Sequence, residues 1–561
     1  MQITPRIRKA YLRLETDLRL ARLAREVAVH APQPQGAPVA FFNVSSRLGS
    51  VSLNAAFTTL TAWAAQLAGA PVVHFACDSG MPHCVLGTNP DDPAQPPPCD
   101  VCVARTRTLA APAPVHWFEY QPDEALEAAM EGLGMAELSE FVFETTDDGR
   151  RTADSGQWSV GGGYLTGIPL GSLVLPSLRW ALRRHHLPDD EPTRALMRDF
   201  IRAAYRVAVA FDRFLQETRP RVVVLFNGLQ FPEATARWVA RRRGVRTITH
   251  EVSFQPFSAF FTEGEATAYP IDIPADFDLS PAQNARLDAW LSKRFRGDFT
   301  MAGIRFWPEM NGLDDDFLAR AAQFEAVVPV FTNVVFDTSQ LHANTVFPHM
   351  FAWLDTILEV IRAHPETLFV IRAHPDEKRP GTRKRSREAV SDWVARNGVD
   401  RLPNVVFIDA LEYISSYDLI RRAKFVMVYN SSIGLEAILL GTPVLCGGKA
   451  RYTQYPIVTF PQSPGAYRAQ AEAWLAADEI PLLPDAQRNA RRFLYYQLFR
   501  VSLPFDAYLE AHPTPGYVRL KRFSWRDLHP QNAPVMRVIV GGILENHPFL
   551  LPNDNHKVHE G

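Results

Sequence analysis

Leu368-Phe-Val-Ile-Arg-Ala-His374-Pro375-Asp-Glu377 and, further along, Phe425-Val-Met-Val-Tyr-Asn430-Ser431-Ser432-Ile-Gly434-Leu-Glu436-Ala437 decide the fold of this chain. Each opens with an apolar run of the length of a buried parallel strand, then breaks into a polar loop where such a strand ends. Working outward, the same alternation repeats. Val39–Asn43, Val72–Phe75, Val222–Phe226 and Thr247–His250 read as strands of a first half, with helical spacing in Asn54–Leu67 and Ala203–Glu217 between them. Val327–Thr332, Leu368–Ile371, Val405–Ile408, Phe425–Val428 and Val444–Cys446 form a second series. Strands alternating with helices predict an α/β protein with parallel sheets covered on both faces.

At 561 residues the chain is too long for a single core. The reading divides it into an N-terminal helix and linker (1–38), a first α/β domain (39–264), which the resemblance given below implies to be a Rossmann-like acceptor domain, a connector (265–325), a second α/β domain (326–510), likewise implied to be the Rossmann-like nucleotide-sugar domain, and an extension that wraps back (511–561). The connector is rich in Asp, Pro and Gly and holds one helix near Pro281–Phe295. A formal charge of −2 implies no bulk attraction to nucleic acid. No uninterrupted apolar run is long enough to span a bilayer, and the first residues do not read as a signal peptide, so the expected compartment is the cytoplasm. Ile7, Tyr11, Leu14, Leu18 and Ala21 recur at helical spacing among Arg6, Arg13, Arg19 and Arg22. That helix reads either as docked on its own protein or a second subunit, or as a peripheral contact with the anionic inner membrane.

In open α/β sheets, ligands sit outside the carboxyl ends of the strands. Ser431 and Ser432 stand where a helix begins, so their hydroxyls and the free N–H groups suit a phosphate. Gly434 would let a ligand approach closely. Glu436, in the first turn, could accept from a ribose hydroxyl; the bland account is an N-cap at Ser432 and a carboxylate answering the helix dipole. Pro375 fixes the loop that aims the His374 ring, and Arg372 and Arg379 add positive charge. Gly441-Thr-Pro-Val-Leu-Cys-Gly447-Gly448-Lys-Ala-Arg451 ends a third strand with small residues and a cation. Together these strand ends predict a nucleotide-sugar site.

Arg-Ala-His-Pro-Asp-Glu, Asn-Ser-Ser-Ile-Gly-Leu-Glu-Ala and Gly-Thr-Pro-Val together resemble the donor half of the capsule polysaccharide biosynthesis family. Thr332-Asn333-Val-Val-Phe-Asp337, followed by Trp353, is similar to the opening of the same domain. The resemblance covers about residues 325–460 and is looser in the first half, where it rests on Ile168-Pro-Leu-Gly171-Ser and Phe226-Asn227-Gly228, with Glu233 and Glu251 following. It implies the two-Rossmann-domain GT-B glycosyltransferase architecture, with HP and SS motifs shared with bacterial Kdo transferases and sialyltransferases. It also implies that His374, Ser431 and Ser432 contact the donor phosphate or its sugar and that Glu436 contacts ribose. The activity so implied is transfer of a sugar from a nucleotide-sugar donor to a surface glycan or lipid-linked glycan acceptor.

Neither a GxGxxG nor a GxxxxGK[ST] loop occurs, which argues against dinucleotide redox chemistry and against an ATPase. Asp314-Asp-Asp316 lies in the connector and reads as a solvated charge run, so donor activation is expected without a metal or other cofactor. Inverting transfer needs a base at a strand end facing the cleft. Glu251, His250 and Asp337 are the candidates, with Asn227 positioning the acceptor; a salt bridge or cap would explain Glu251 and His250 equally well. Ser45-Ser46-Arg47-Leu-Gly49-Ser50 could line the same cleft or be a plain turn. Cys77, Cys84, Cys99 and Cys102 make a C-x6-C-x14-C-x2-C pattern whose last pair has zinc-knuckle spacing, so a structural zinc is expected; four ordinary thiols or a redox-labile pair are the alternatives. Cys446, inside a strand, reads as a small buried hydrophobe. Two rival functions share the pattern: a sugar-nucleotide 2-epimerase, and a non-catalytic polysaccharide-assembly protein that keeps the nucleotide fold.

Overall fold

The structure is a computed structural model that describes residues 5–44, 50–89, 91–92, 94–144, 165–297, 300–301, 304–305, 311–378, 385–514 and 516–553. Ser45–Gly49 and Arg379 lie outside the described residues, as do the side chains of Arg6 and Ile7.

Two sheets organise the chain. The second holds five strands in the order Val405–Ile408, Thr367–Arg372, Ala326–Phe331, Val426–Val428, Val444–Cys446, all parallel. In chain order this is 3-2-1-4-5, the Rossmann arrangement, and its crevice opens where the order reverses, between Ala326–Phe331 and Val426–Val428. The first sheet repeats the pattern: Val115–Phe118, Val72–Cys77, Val39–Phe42, Val222–Phe226 and Arg246–Val252 run parallel, again 3-2-1-4-5. Its reversal lies between Val39–Phe42 and Val222–Phe226. Two antiparallel strands, Ser258–Glu263 and Leu503–Pro504, extend its far edge.

The central strands are fully buried apolar runs, Val222–Leu225 and Leu368–Ile371 among them, as expected where helices cover both faces. The helix Leu53–Leu67 starts at Ser52, whose hydroxyl accepts the Ala55 N–H, and nearly all its residues are buried. It is sandwiched between the first sheet and the C-terminal helix Pro534–Glu545, so Phe57 and Trp63 share a core with Met536 and Ile539. The extension therefore completes the first domain. The chain has already rejoined that sheet at Leu503–Pro504, ahead of the boundary expected at 510.

The connector packs against the second half: Leu287 and Leu291 of Pro281–Phe295 share a cluster with Tyr452 and Phe493. Asp314 caps the helix Asp315–Ala321 by accepting the Phe317 N–H, which accounts for the acidic run. The N-terminal helix Pro5–His30 docks Leu20, Leu23 and Val27 into the first core, while Tyr11, Leu14 and Leu18 remain exposed. Among the described residues no helix is long and apolar enough to cross a membrane.

Candidate functional site

At the crevice of the second sheet, Arg372 ends one strand and His374 follows it, while Ser431 and Ser432 follow the strand Val426–Val428. With Thr332, Tyr417, Arg294 and Glu436 they line one cavity of about 100 Å³. His374 Nδ1 accepts the Asp376 N–H at 3.2 Å, which leaves a neutral ring its proton on Nε2, a donor. Arg372 is buried, and burial lowers its pKa to about 10, with Glu412 acting the other way. Ser432 makes no capping bond, and its hydroxyl is exposed to the cavity. The bland N-cap account of Ser432 is therefore not what the fold uses.

Two expectations here need correcting. A Cβ on Gly434 would stand 2.4 Å from the Tyr452 hydroxyl and 3.1 Å from Val428 Cγ2, so this glycine makes room for Tyr452 rather than for a ligand. Likewise, a Cβ on Gly447 would stand 2.2 Å from Trp353 Nε1. Glu436 lines the cavity with both oxygens already engaged: Oε1 pairs with Arg294 at 2.9 Å and Oε2 accepts from Tyr417 at 2.6 Å. It braces the connector helix, and a ribose would have to share it.

At the crevice of the first sheet, Glu251 ends the strand Arg246–Val252. Its Oε2 accepts from Asn227 Nδ2 at 2.9 Å and its Oε1 from the Val252 N–H at 2.8 Å, with Asn54 also bonded to the carboxylate. Burial raises its pKa to about 6, against the lowering pull of those donors; the charge of Asp337 raises it further. Asn227 is in the left-handed region, at φ 61°, and its Oδ1 accepts the Leu229 N–H. Both ends of that side chain are in use, so Asn227 holds Glu251 instead of positioning an acceptor. His250 is also corrected. Its ring is fully buried, bonded to Thr58 at 2.9 Å and packed against Phe57, Phe226 and Phe261. Burial pushes its pKa down to about 3, and no acceptor can reach it. Asp337, exposed, takes the Ser339 hydroxyl at 2.6 Å and lines a small inter-domain cavity with Arg179 and His185.

A chain of contacts joins the two crevices. The Tyr452 hydroxyl donates to the Ser431 carbonyl at 2.7 Å, and next to it Arg451 lies over the rings of Phe254 and Tyr269, 4.5 and 4.7 Å from their centres. Tyr269 in turn donates to the Val252 carbonyl at 2.5 Å, beside Glu251. Arg451 Nη1 is buried without a hydrogen-bond partner. A guanidinium stacked on aromatic faces contributes about 0.5–2 kcal/mol.

The stretch that carries the second crevice can be matched. Residues 311–473 match the family described as capsule polysaccharide biosynthesis protein. Protein FixF of Sinorhizobium fredii (strain NBRC 101917 / NGR234) is 29% identical over 266 residues, 46% of this chain and 56% of FixF, so the chain spans little more than half that relative's length. Thermosulfurimonas dismutans KpsC, beta Kdo 2,7 transferase, overlaps 55% of this chain and 85% of its own at 13% identity and a TM-score of 0.31. The beta Kdo 2,4 transferase of the same KpsC gives 57%, 88%, 13% and 0.32. UDP-GlcNAc 2-epimerase from Neisseria meningitidis bound to UDP-GlcNAc overlaps 52% of this chain and 80% of its own, at 15% identity and 0.23. Overlaps at this level assign no residue a role.

Inside the capsule-family segment, sequence reasoning missed Arg451 as a bridge between halves, because its partner rings lie far away in the chain. It also missed Arg294 and Asn54, which support Glu436 and Glu251. Their only signal was position, a helix end and a helix start beside strand ends. Cys77, Cys84, Cys99 and Cys102 do line one cavity. A second cluster was not anticipated: His185, His186 and His349, the one trio of candidate ligand atoms within 4.8 Å of one another among the described residues. His349 Nδ1 accepts the Ala352 N–H at 3.1 Å, which puts its proton on Nε2, and His186 Nδ1 is bonded to Glu388. Glu388 also accepts the His185 and His186 N–H groups and so ties this loop to the second half, and a cation would have to break the His349 helix cap to gain a third lone pair.

Proposed function

We propose that the chain is a glycosyltransferase that moves a sugar from a nucleotide-sugar donor to a surface glycan, such as a capsular, exopolysaccharide or lipopolysaccharide acceptor. One observation supports the reading: a carboxylate whose pKa burial raises to about 6, one strand from the switch point of the first sheet, is linked by Tyr269, Arg451 and Tyr452 to a hydroxyl- and cation-lined crevice at the switch point of the other. The donor's phosphates lie against Arg372, His374, Ser431 and Ser432. Glu251 takes the proton of the acceptor hydroxyl, whose oxygen attacks the anomeric carbon. The bond from that carbon to the phosphate oxygen breaks, and the leaving nucleotide takes the electron pair. His374 Nε2–H and Arg372 offset its charge, the kind of stabilisation that preorganised donors supply best in a site that excludes water. Attack opposite the leaving group inverts the anomeric centre, and no step calls for a metal.

Titration calorimetry with CMP-, CDP-, UDP- and GDP-sugars, followed by product analysis with and without glycan acceptor, tests this reading. Donor binding with acceptor-dependent product supports it. Donor conversion without acceptor supports the epimerase instead, and absence of binding to every donor supports an assembly module. We also place the protein on the cytoplasmic face of the inner membrane as a peripheral partner, on the ground that Tyr11, Leu14 and Leu18 stand exposed beside Arg13, Arg19 and Arg22. Flotation with anionic vesicles, lost in a Leu14→Glu/Leu18→Glu variant, checks that placement.

A further inference from the structure

The segment between Cys77 and Cys99 has no helix or strand among its described residues, only turns, yet it sits against the first domain with Met81 and Val85 buried in that domain's core. Long segments without secondary structure are uncommon inside compact domains and need something to hold them. The four sulfurs are what this one offers. Cys77 ends the strand Val72–Cys77, Cys84 opens a turn, and Cys99 and Cys102 lie in the first turn of the helix Cys99–Ala110. None of the four is in a disulfide, and all four line a single cavity of about 30 Å³, large enough for one ion; no three of the sulfurs lie within 4.8 Å of one another, so an ion bound there draws them together.

The backbone around the first two sulfurs is built to aim them. Gly80 N–H donates to Cys77 Sγ at 3.1 Å, and Gly87 N–H donates to Cys84 Sγ at 3.2 Å, each from three residues on. Neither turn tolerates a side chain: a Cβ on Gly80 would stand 2.5 Å from the Phe118 ring, and one on Gly87 would stand 2.5 Å from Pro97 Cβ and 3.2 Å from Cys84 Sγ itself. Two glycine turns therefore bring two sulfurs to the cavity, and one helix start brings the other two. Among the described residues no carboxylate or imidazole lines it.

We propose that Cys77, Cys84, Cys99 and Cys102 bind one zinc ion that staples residues 78–98 to the first Rossmann-like domain. Four soft donors with no oxygen ligand select zinc held tetrahedrally, in a closed structural site. The reaction balances without redox change: four thiols lose four protons to solvent, and the ion joins the four thiolates as a complex of charge −2. The staple has a position as well as a strength. Leu86, two residues from Cys84, and Thr106, one turn beyond Cys102, form part of the wall of the crevice that Asn43, Asn54, Phe226 and Glu233 line on the first sheet. Asn54 is bonded to Glu251, so the zinc fixes the wall beside the carboxylate. The zinc assignment stands by itself; only its bearing on an acceptor rests on the function proposed above.

The full chain, produced in zinc-supplemented medium and purified without a metal-affinity step, tests the site by metal analysis. About one zinc per chain is expected, released by a mercurial that caps thiols. Cobalt added in its place should give the strong visible bands of a tetrahedral thiolate complex. Cys99→Ser/Cys102→Ser should lower zinc at least about tenfold, whereas Cys446→Ser, outside the cluster, should keep it. If the double variant fails to fold, the cobalt spectrum of the unaltered chain still decides. Metal-free protein with four thiols reactive in the native state, an octahedral cobalt spectrum, or iron in place of zinc would overturn the assignment.

Discussion

Replacing Glu251 by Gln removes the proton acceptor while keeping the shape of the side chain. The carboxylate accepts from Val252 N–H and from Asn227 Nδ2. A glutamine carbonyl can serve one of these donors, and its NH2 group then faces the other, at a cost of about 1–3 kcal/mol. Against this, Glu251 has its pKa raised from 4.5 to about 6, mainly by burial. Holding it ionised above that pH therefore costs about 2 kcal/mol, which the amide does not incur. The two effects offset each other, so melting at pH 8 should change little. Because the folded pKa is raised, this group's contribution to stability is present below about pH 4.5 and is lost as pH rises through about 6. The catalytic sign is opposite: a base works only when ionised, so kcat/KM should climb with pH through about 6 and level off near 7. The Gln variant should lose on the order of 10²–10⁴ in turnover and lose that acid limb, while donor affinity by calorimetry is retained. Initial rates from pH 5 to 8 on both proteins make the measurement. Wild-type turnover in a folded Glu251→Gln protein would refute the base assignment and move it to Asp337, and so would an unchanged acid limb in the variant.

His374→Ala should reduce turnover by about 10²–10³ while costing only the lost cap on the Asp376 N–H, about 0.5–2 kcal/mol of stability; near-normal rates would remove it from the donor site. Gly434→Ala should destabilise by about 1–3 kcal/mol through its clash with the Tyr452 hydroxyl, and Tyr452→Phe in the same chain should recover much of the loss, a coupling that denaturant titration of the cycle reads directly. Glu377 is fully buried, and burial raises its pKa to about 8 against the pull of the Val390 N–H. Its contribution to stability is thus present below about pH 4.5 and lost as pH rises through about 8, and Glu377→Gln should flatten the fall in melting temperature between about pH 5 and 8.

The apolar strands were legible because burial on both faces leaves a continuous signature. Val222–Phe226, Val405–Ile408 and Val444–Cys446 fall where the sequence reading puts them. Val115–Phe118 was missed because an edge strand with three half-buried positions carries His and Trp in place of an aliphatic run. Ser258–Glu263 pairs antiparallel, and its apolar centre lies between polar ends, so it resembles a loop. The strand-end residues were legible as a group, since His374-Pro375 and Ser431-Ser432 follow strands by sequence alone. Their division of labour was not. Whether a glycine yields space to a ligand or to Tyr452, and whether His250 or Glu251 faces the crevice, depends on helices and rings brought from distant segments. For the same reason a fragment of 325–510 is a poor test of donor binding: it would lack Arg294 and with it one of the partners of Glu436.

The return of the chain to its own beginning has a consequence for the order of folding. Domains generally fold as units in the order in which they leave the ribosome. Here the helix Leu53–Leu67, with Phe57 and Trp63, is packed early by Pro5–His30 but receives the rest of its cover from Trp525–Leu528 and Pro534–Glu545 at the end of synthesis, and the edge strand Ser258–Glu263 is paired by Leu503–Pro504. The domain that emerges first therefore waits for its last layer until the whole second domain has been made. Until then part of an apolar helix face and an unpaired strand edge stand open to chaperones or to other nascent chains, and a stop codon near position 500 would leave the second sheet whole while undoing the domain made before it.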